Sequence, residues 1–264
     1  MDGMQVDLLV FAVVFTVGTA VGSFLNVVID RLPLKKSIIK GRSHCDHCRR
    51  TLRWFELIPL LSFVFLRGRC RTCGQKLSWQ YPAVEMLTGV VFLLIFNFQF
   101  SIFNFILAVL MSALIVVSVV DLKLGIIPDE VLVFLLVVWG LKEVGGIRSI
   151  EGIGQEIALA AVPAVAAGLF FYLLVLVTRG RGMGGGDVKL AFIIGLFLSP
   201  GQTFIAIYAA FILGGLVALA LLAVGRKKFG QTVPFGPFLA VGTLVGLLWG
   251  DELIRLYLTG MSLF

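Results

Sequence analysis

Charge is what this chain has least of. Asp, Glu, Lys and Arg make up 14% of its 264 residues, where a soluble domain carries about 25%. Acidic residues number 15 and histidines two. Apolar residues reach 59%, above the roughly 45–50% of a soluble domain, and the mean hydropathy is +1.04. Such a composition excludes an ordinary water-soluble domain and predicts helices bundled in lipid. No strand followed by a glycine-rich turn occurs, so the dinucleotide-binding fingerprint is absent. Low-complexity tracts are also missing. The first apolar run, Leu8 to Ile29, is longer than the roughly 7–15 residues of a signal-peptide core. It follows Asp2 and Asp7 rather than Lys or Arg, and reads as a retained anchor helix.

Eight segments are apolar enough to span or nearly span: about 7–29, 82–99, 102–120, 130–147, 157–178, 188–199, 202–224 and 234–258. The sixth is short for a bilayer that needs about 20 residues per helix. Seven spans, with 188–224 bent or re-entrant, is the alternative. If the amino terminus is outside, the inner loops are 30–81, 121–129, 179–187 and 225–233. With Lys189 they hold 19 of the 22 Lys and Arg, leaving Lys142, Arg148 and Arg255 outside. This asymmetry follows the positive-inside rule. The net charge of +7 is therefore read as a topology signal, with anionic lipid headgroups as partners and no nucleic acid. The expected fold is all-α: a polytopic membrane protein of about eight transmembrane helices with a small cytoplasmic loop domain. That domain, 30–81, includes "WFELIPLLSFVFL" (Trp54–Leu66), too short to span and suited to a membrane surface or to packing under the loop.

All four cysteines lie in this loop, as Cys45-x2-Cys48 and Cys70-x2-Cys73. Paired knuckles of this kind present two thiolates each to a tetrahedral structural zinc ion. Two disulfides are the alternative, and a reducing cytoplasm opposes them. His44 and His47 flank and fill the first knuckle. They are read as bystanders to a four-thiolate shell, with a Cys2His-type substitution as the other reading.

Two acids close or open apolar segments: Asp121 at the end of the third, and Asp187 at the start of the sixth. Ionisable groups at membrane helix ends are functional candidates. A carboxylate is equally at home solvated there, and Asp187 suits a helix amino terminus as a cap. Gly184, Gly185 and Gly186 precede Asp187 and permit close backbone approach, so a peptide or a second helix can reach its carboxylate. Two carboxyls brought together cannot both ionise easily, which supplies the base and the acid of an aspartic protease.

Gly184-x-Gly186-Asp187 resembles the GxGD signature of membrane aspartic proteases. The chain as a whole resembles the bacterial type IV prepilin peptidases, which also serve type II secretion pseudopilins. The resemblance is carried by "GSFLNVVIDRLP" (Gly22–Pro33), by the cysteine loop His44–Glu85, and by "DLKLGIIPD" (Asp121–Asp129). It continues in "MGGGDVKL" (Met183–Leu190) and "VPFGPFLA" (Val233–Ala240). It implies a multifunctional enzyme of the bacterial inner membrane with Asp121 and Asp187 as its catalytic pair. Asp129 would start the fourth helix as a neighbour or a cap. The implied substrate has a basic leader ending in Gly, cut after that Gly at the cytoplasmic face, and then an apolar helix. Many members also methylate the new amino terminus with S-adenosylmethionine, an activity that goes with the amino-terminal region and the cysteine loop. Asn26, Arg31 and Glu85, near span ends facing the loop, either line a methyl-transfer site or hydrogen-bond between helices. The first knuckle departs from the family in reading Cys-Asp-His-Cys where Cys-Pro-x-Cys is more usual.

The domains expected on this basis are a first transmembrane helix (1–29), a zinc-binding loop domain (30–81) and a transmembrane aspartic peptidase domain (82–264). Two competing classes are a transporter using membrane carboxylates and a zinc-ribbon scaffold without chemistry. Ion flux sensitive to Asp187 would mark the first. A partner interaction lost with the zinc would mark the second.

Overall fold

A computed structural model describes residues 2–96, 100–146, 153–180, 182–226 and 233–261. Among the expected features, the segment ends at 97–99 and 147 and the charges of Arg148, Arg181, Lys227 and Lys228 lie outside the described residues. Among the described residues the chain is helical, with strand-like pairing confined to two isolated bridges, His44 with Thr51 and Arg69 with Lys76. It divides into two compact units, Met1–Val116 and Val117–Phe264.

The first unit holds α1 (Asp2–Arg31), the short α2 (Leu61–Phe65), α3 (Gln80–Phe96) and the greater part of α4 (Ile102–Leu124). Helix α1 carries glycines one turn apart, Gly18 and Gly22. A Cβ at Gly18 would lie 2.8 Å from the Gly89 Cα, and one at Gly22 would lie 2.7 Å from the Glu85 Cα. The bare backbone of α1 thus lies directly on α3. In lipid, where burying apolar surface between helices gains little, this close van der Waals packing is what joins them.

The second unit contains the end of α4 together with α5 (Asp129–Gly146), α6 (Ile153–Val177), α7 (Gly185–Phe197), α8 (Pro200–Ala223) and α9 (Gly236–Met261). Glycine again sets the spacing. A Cβ on Gly195 of α7 would meet the Ala164 Cα of α6 at 2.5 Å, and overpacking of this kind costs about 1–3 kcal/mol. Helix α9 repeats the device with Gly242, Gly246 and Gly250 against α8. A Cβ at Gly246 would sit 2.6 Å from the Gln202 carbonyl oxygen.

Helices occupy the sites of all eight expected apolar segments, but the count of eight spans is not confirmed. Five candidate spans are long and apolar enough to cross a membrane: Leu8–Leu34, Ile102–Leu124, Ala158–Val177, Pro200–Ala223 and Gly236–Tyr257. Helix α3 has 17 residues and α7 has 13. Helix α5 has 18, with Asp129, Glu130, Lys142 and Glu143 among them. Hydrophobic runs counted along the sequence include turn residues that a helix does not.

Helix α7 ends where Ser199 begins the next one. The Ser199 Oγ accepts from the Gln202 amide (3.3 Å), and the Gln202 Oε1 accepts from the Ser199 amide (3.2 Å). Pro200 occupies the first helical position, where its missing N–H costs nothing. The Gln202 Nε2 donates to the Asp251 Oδ2 of α9 at 2.9 Å.

Candidate active site and metal centre

Within the second unit, α4 stops at a left-handed glycine. The Gly125 amide donates to the Asp121 carbonyl at 2.8 Å with φ +67°, which only glycine adopts without strain. Asp121 is thereby left in the last turn of α4, 5% exposed. Its Oδ2 accepts from the Gly236 amide at 2.9 Å, across 115 residues. That amide opens α9, where the first N–H groups of a helix have no internal partner. Asp187 lies in the first turn of α7, 8% exposed. Its Oδ2 accepts from the Gly184 amide at 3.0 Å, closing the amino end of α7 on itself.

The three glycines do different things. Gly184 is extended (φ −87°, ψ 159°) and supplies an amide donor. A Cβ on Gly185 would meet nothing within 4 Å, while one on Gly186 would lie 3.1 Å from the Ile127 Cβ. The triplet thus combines a bare patch of backbone with a close approach to the segment before α5. Asp129 opens α5 and accepts from the Lys189 Nζ at 2.8 Å. Both side chains are more than half exposed, so the pair contributes about 0–1 kcal/mol.

The first unit holds the cysteines. All four Sγ atoms lie within 4.8 Å of one another. Cys45 and Cys73 approach to 3.8 Å, and Cys48 and Cys70 to 4.0 Å. A disulfide needs about 2.05 Å. A zinc tetrahedron with sulfur bonds of about 2.3 Å has edges of about 3.8 Å, so the cluster fits that ion. His44 Nδ1 instead lies 3.4 Å from the Arg42 carbonyl.

The two knuckles are built alike. The Cys45 amide donates to the Arg50 carbonyl at 3.0 Å, and the Cys70 amide to the Gln75 carbonyl at 2.8 Å. Leu52 donates to Ser43, as Leu77 does to Gly68. The residue after each second cysteine is left-handed, Arg49 at φ +55° and Gly74 at φ +68°.

Behind the first knuckle, Arg50 Nη2 donates to the Glu56 Oε1 at 2.6 Å, and the Arg53 amide donates to the Oε2 at 2.8 Å. Burial alone would raise the Glu56 carboxyl. Arg50 and the Arg53 amide outweigh it and hold the group below the ordinary carboxylate range.

The remaining candidates hold backbone. Asn26 Nδ2 donates to the Tyr81 carbonyl at 3.1 Å, and its Oδ1 accepts from the Gln80 Nε2 at 3.2 Å. Arg31 Nη1 donates to the carbonyls of Ser37 (3.1 Å) and Lys40 (2.9 Å), shaping the loop after α1. The buried Glu85 accepts through Oε2 from the Leu60 amide at 2.8 Å. Leu60 is a left-handed residue (φ +59°) at the start of α2.

Sequence reading missed Gly236 and the Arg50–Glu56 pair as members of these sites. The "VPFG" stretch was a recognisable motif, but its contact with Asp121 is tertiary. The spacing of Arg50 and Glu56 carries no signal of its own.

Comparison with known proteins identifies the family. Residues 16–99 match the bacterial peptidase A24 N-terminal domain, and residues 106–219 match the type IV leader peptidase family. A prepilin leader peptidase/N-methyltransferase of Bacillus subtilis (strain 168) is 36% identical over 94% of this chain and 97% of its own length. Proteins of the same description from Legionella pneumophila (32%, over 94% of each chain) and Aeromonas hydrophila (30%, over 95% and 94%) are similar throughout. No solved structure matches. The chain belongs to the prepilin leader peptidase/N-methyltransferase family.

Proposed function

We propose that this protein removes the basic leader from type IV prepilins or pseudopilins, and then methylates the new amino terminus. What supports the peptidase half is the presence, in one unit, of two buried acids, Asp121 and Asp187, each accepting from a backbone amide at the start of a helix. In the cut, one carboxylate takes a proton from water as the water oxygen attacks the carbonyl carbon of the leader Gly. The other carboxyl, protonated, donates to the carbonyl oxygen. The C–N bond then breaks, and the departing nitrogen leaves as an amine after accepting a proton from the pair. The distribution of Lys and Arg favours a location in the bacterial inner membrane, with the carboxylates and the cysteine loop at the cytoplasmic face.

The methyl-transfer half belongs to the first unit. Asn26 and Glu85, on the facing helices α1 and α3, form a buried polar set, and Arg31 shapes the adjoining loop. A carboxylate and an amide of this kind suit a cationic cofactor. S-adenosylmethionine, when bound, supplies the methyl group. The role of these residues is to order the backbone around the site, Asn26 through Tyr81, Glu85 through Leu60 and Arg31 through the loop after α1. Zinc would be held by Cys45, Cys48, Cys70 and Cys73 and would fold the loop around this set.

The test is the mass of the product when the purified protein meets a prepilin with and without S-adenosylmethionine. Loss of the leader in both, with one added methyl only in the first, is expected. An intact prepilin in both would overturn the reading. A narrower expectation concerns Gly236. A Cβ there would lie 2.9 Å from the Asp121 Oδ2 and 3.3 Å from its Cβ, so Gly236→Ala must push the carboxyl aside. Displacement by about 1 Å costs about 10²-fold in rate. The kcat of leader cleavage should fall by that order while thermal unfolding in detergent changes little. An unchanged kcat would remove Gly236 from the site.

A further inference from the structure

A groove in the second unit takes no part in the chemistry above. Leu132, Val133 and Leu136 of α5 face Val165, Leu169 and Tyr172 of α6 across about 700 Å³. Both rows follow the three- and four-residue spacing with which one helix packs against another. Helix α7 supplies the floor, with Phe192 seated where a Cβ on Gly168 would be 3.3 Å away. Val133, Leu169 and Tyr172 are 59%, 53% and 50% exposed, so the groove opens outward. Its lining is apolar except for one rim, formed by Asp129 and Lys189.

That rim fixes the occupant. It belongs to the first turns of α5 and α7, the same end of the unit as Asp121 and Asp187. The groove therefore starts at the level of the carboxylates and runs away from them along apolar walls. A helix turns about 100° per residue. On α7 this puts Gly185, Lys189 and Phe192 on one face and Asp187 on the opposite one. A chain leaving the groove along that face arrives at Gly185, where a Cβ would meet nothing within 4 Å. Over this bare backbone it can cross the start of α7 to reach Asp187.

We propose that the groove between α5, α6 and α7 docks the apolar helix of the substrate that follows the scissile bond, with Gly185 and Gly184 as the crossing point to the carboxylates. The inference rests on the peptidase reading. It explains how a cut is placed at the edge of an apolar segment: the helix seats in the groove, and only the chain beyond its end reaches the acids.

The test fills the groove. Val133→Trp and Leu169→Trp replace exposed side chains, so folding tolerates them, and Leu219→Trp on α8 (Leu219 is 64% exposed) is the control. Each is assayed on a full prepilin and on a short peptide ending a few residues past the cut. The ratio of the two kcat/KM values should fall at least about tenfold in the groove variants, with the loss in KM for the full substrate, and stay unchanged in the control. A photo-crosslinking residue at position 169 should capture the prepilin. An unchanged ratio overturns the proposal, as does crosslinking to phospholipid alone. If the unaltered protein cleaves neither substrate, the peptidase reading fails first and the groove assignment falls with it.

Discussion

Asp187→Asn and Asp121→Asn should each lower leader cleavage by about 10³-fold, within the roughly 10²–10⁴ range of a lost acid or base. Both changes keep the shape of the side chain. An Asn Oδ1 at 187 can still accept from the Gly184 amide, and one at 121 can still accept from the Gly236 amide. The helix starts thus survive, and what disappears is the exchangeable proton. Because the two groups work on one proton inventory, the double variant should be scarcely slower than either single one. Initial rates on a prepilin, with circular dichroism to confirm helix content, check this. Near-normal cleavage by either variant would dissolve the pair, and multiplicative losses would mean that the two acids act separately.

Zinc removal should have the largest effect on stability. The loop has little core of its own, and zinc binding by such peptides supplies about 10–16 kcal/mol of folding free energy. Chelation, or Cys45→Ser at a buried ligand, should release the ion and open residues 30–81 to limited proteolysis. Methylation should stop. Leader cleavage should persist, because both acids belong to the second unit and the cysteines to the first. Zinc stoichiometry, proteolysis and product mass measured on one preparation separate these outcomes. Full methylation by a zinc-free protein would detach the loop from the transfer reaction.

The cysteine cluster was legible in the sequence because each knuckle is a local structure, and a C-x2-C turn carries its geometry with it. Its internal repeat was harder to see. Residues 43–52 and 68–77 share two cysteines and a leucine, and their likeness lies in backbone hydrogen bonds that dissimilar side chains also allow. Asp121 and Asp187 stood out because acids are rare beside apolar runs. Bringing them together is a tertiary matter that no periodicity encodes. The glycines before Asp187 were legible as a special backbone, though not their division of labour. The glycine rows of α1 and α9 were open to reading from their four-residue spacing, since small residues one turn apart are the usual sign of close helix packing in membranes.

The brevity of α7 bears on how water reaches the reaction. Its 13 residues rise about 20 Å, some 10 Å less than the hydrocarbon layer. At its far end Gln202, tied to Ser199, donates to Asp251, polar groups suited to a headgroup boundary. Asp187 lies at the opposite end. Most of the α7 side chains are packed against other helices, so the shortfall is met inside the bundle rather than by the lipid around it. With 13 residues beside the 25 of α6, α7 falls short of its neighbour, and a shortfall at the end that carries Asp187 lets water reach the acid from the edge without a channel through the protein.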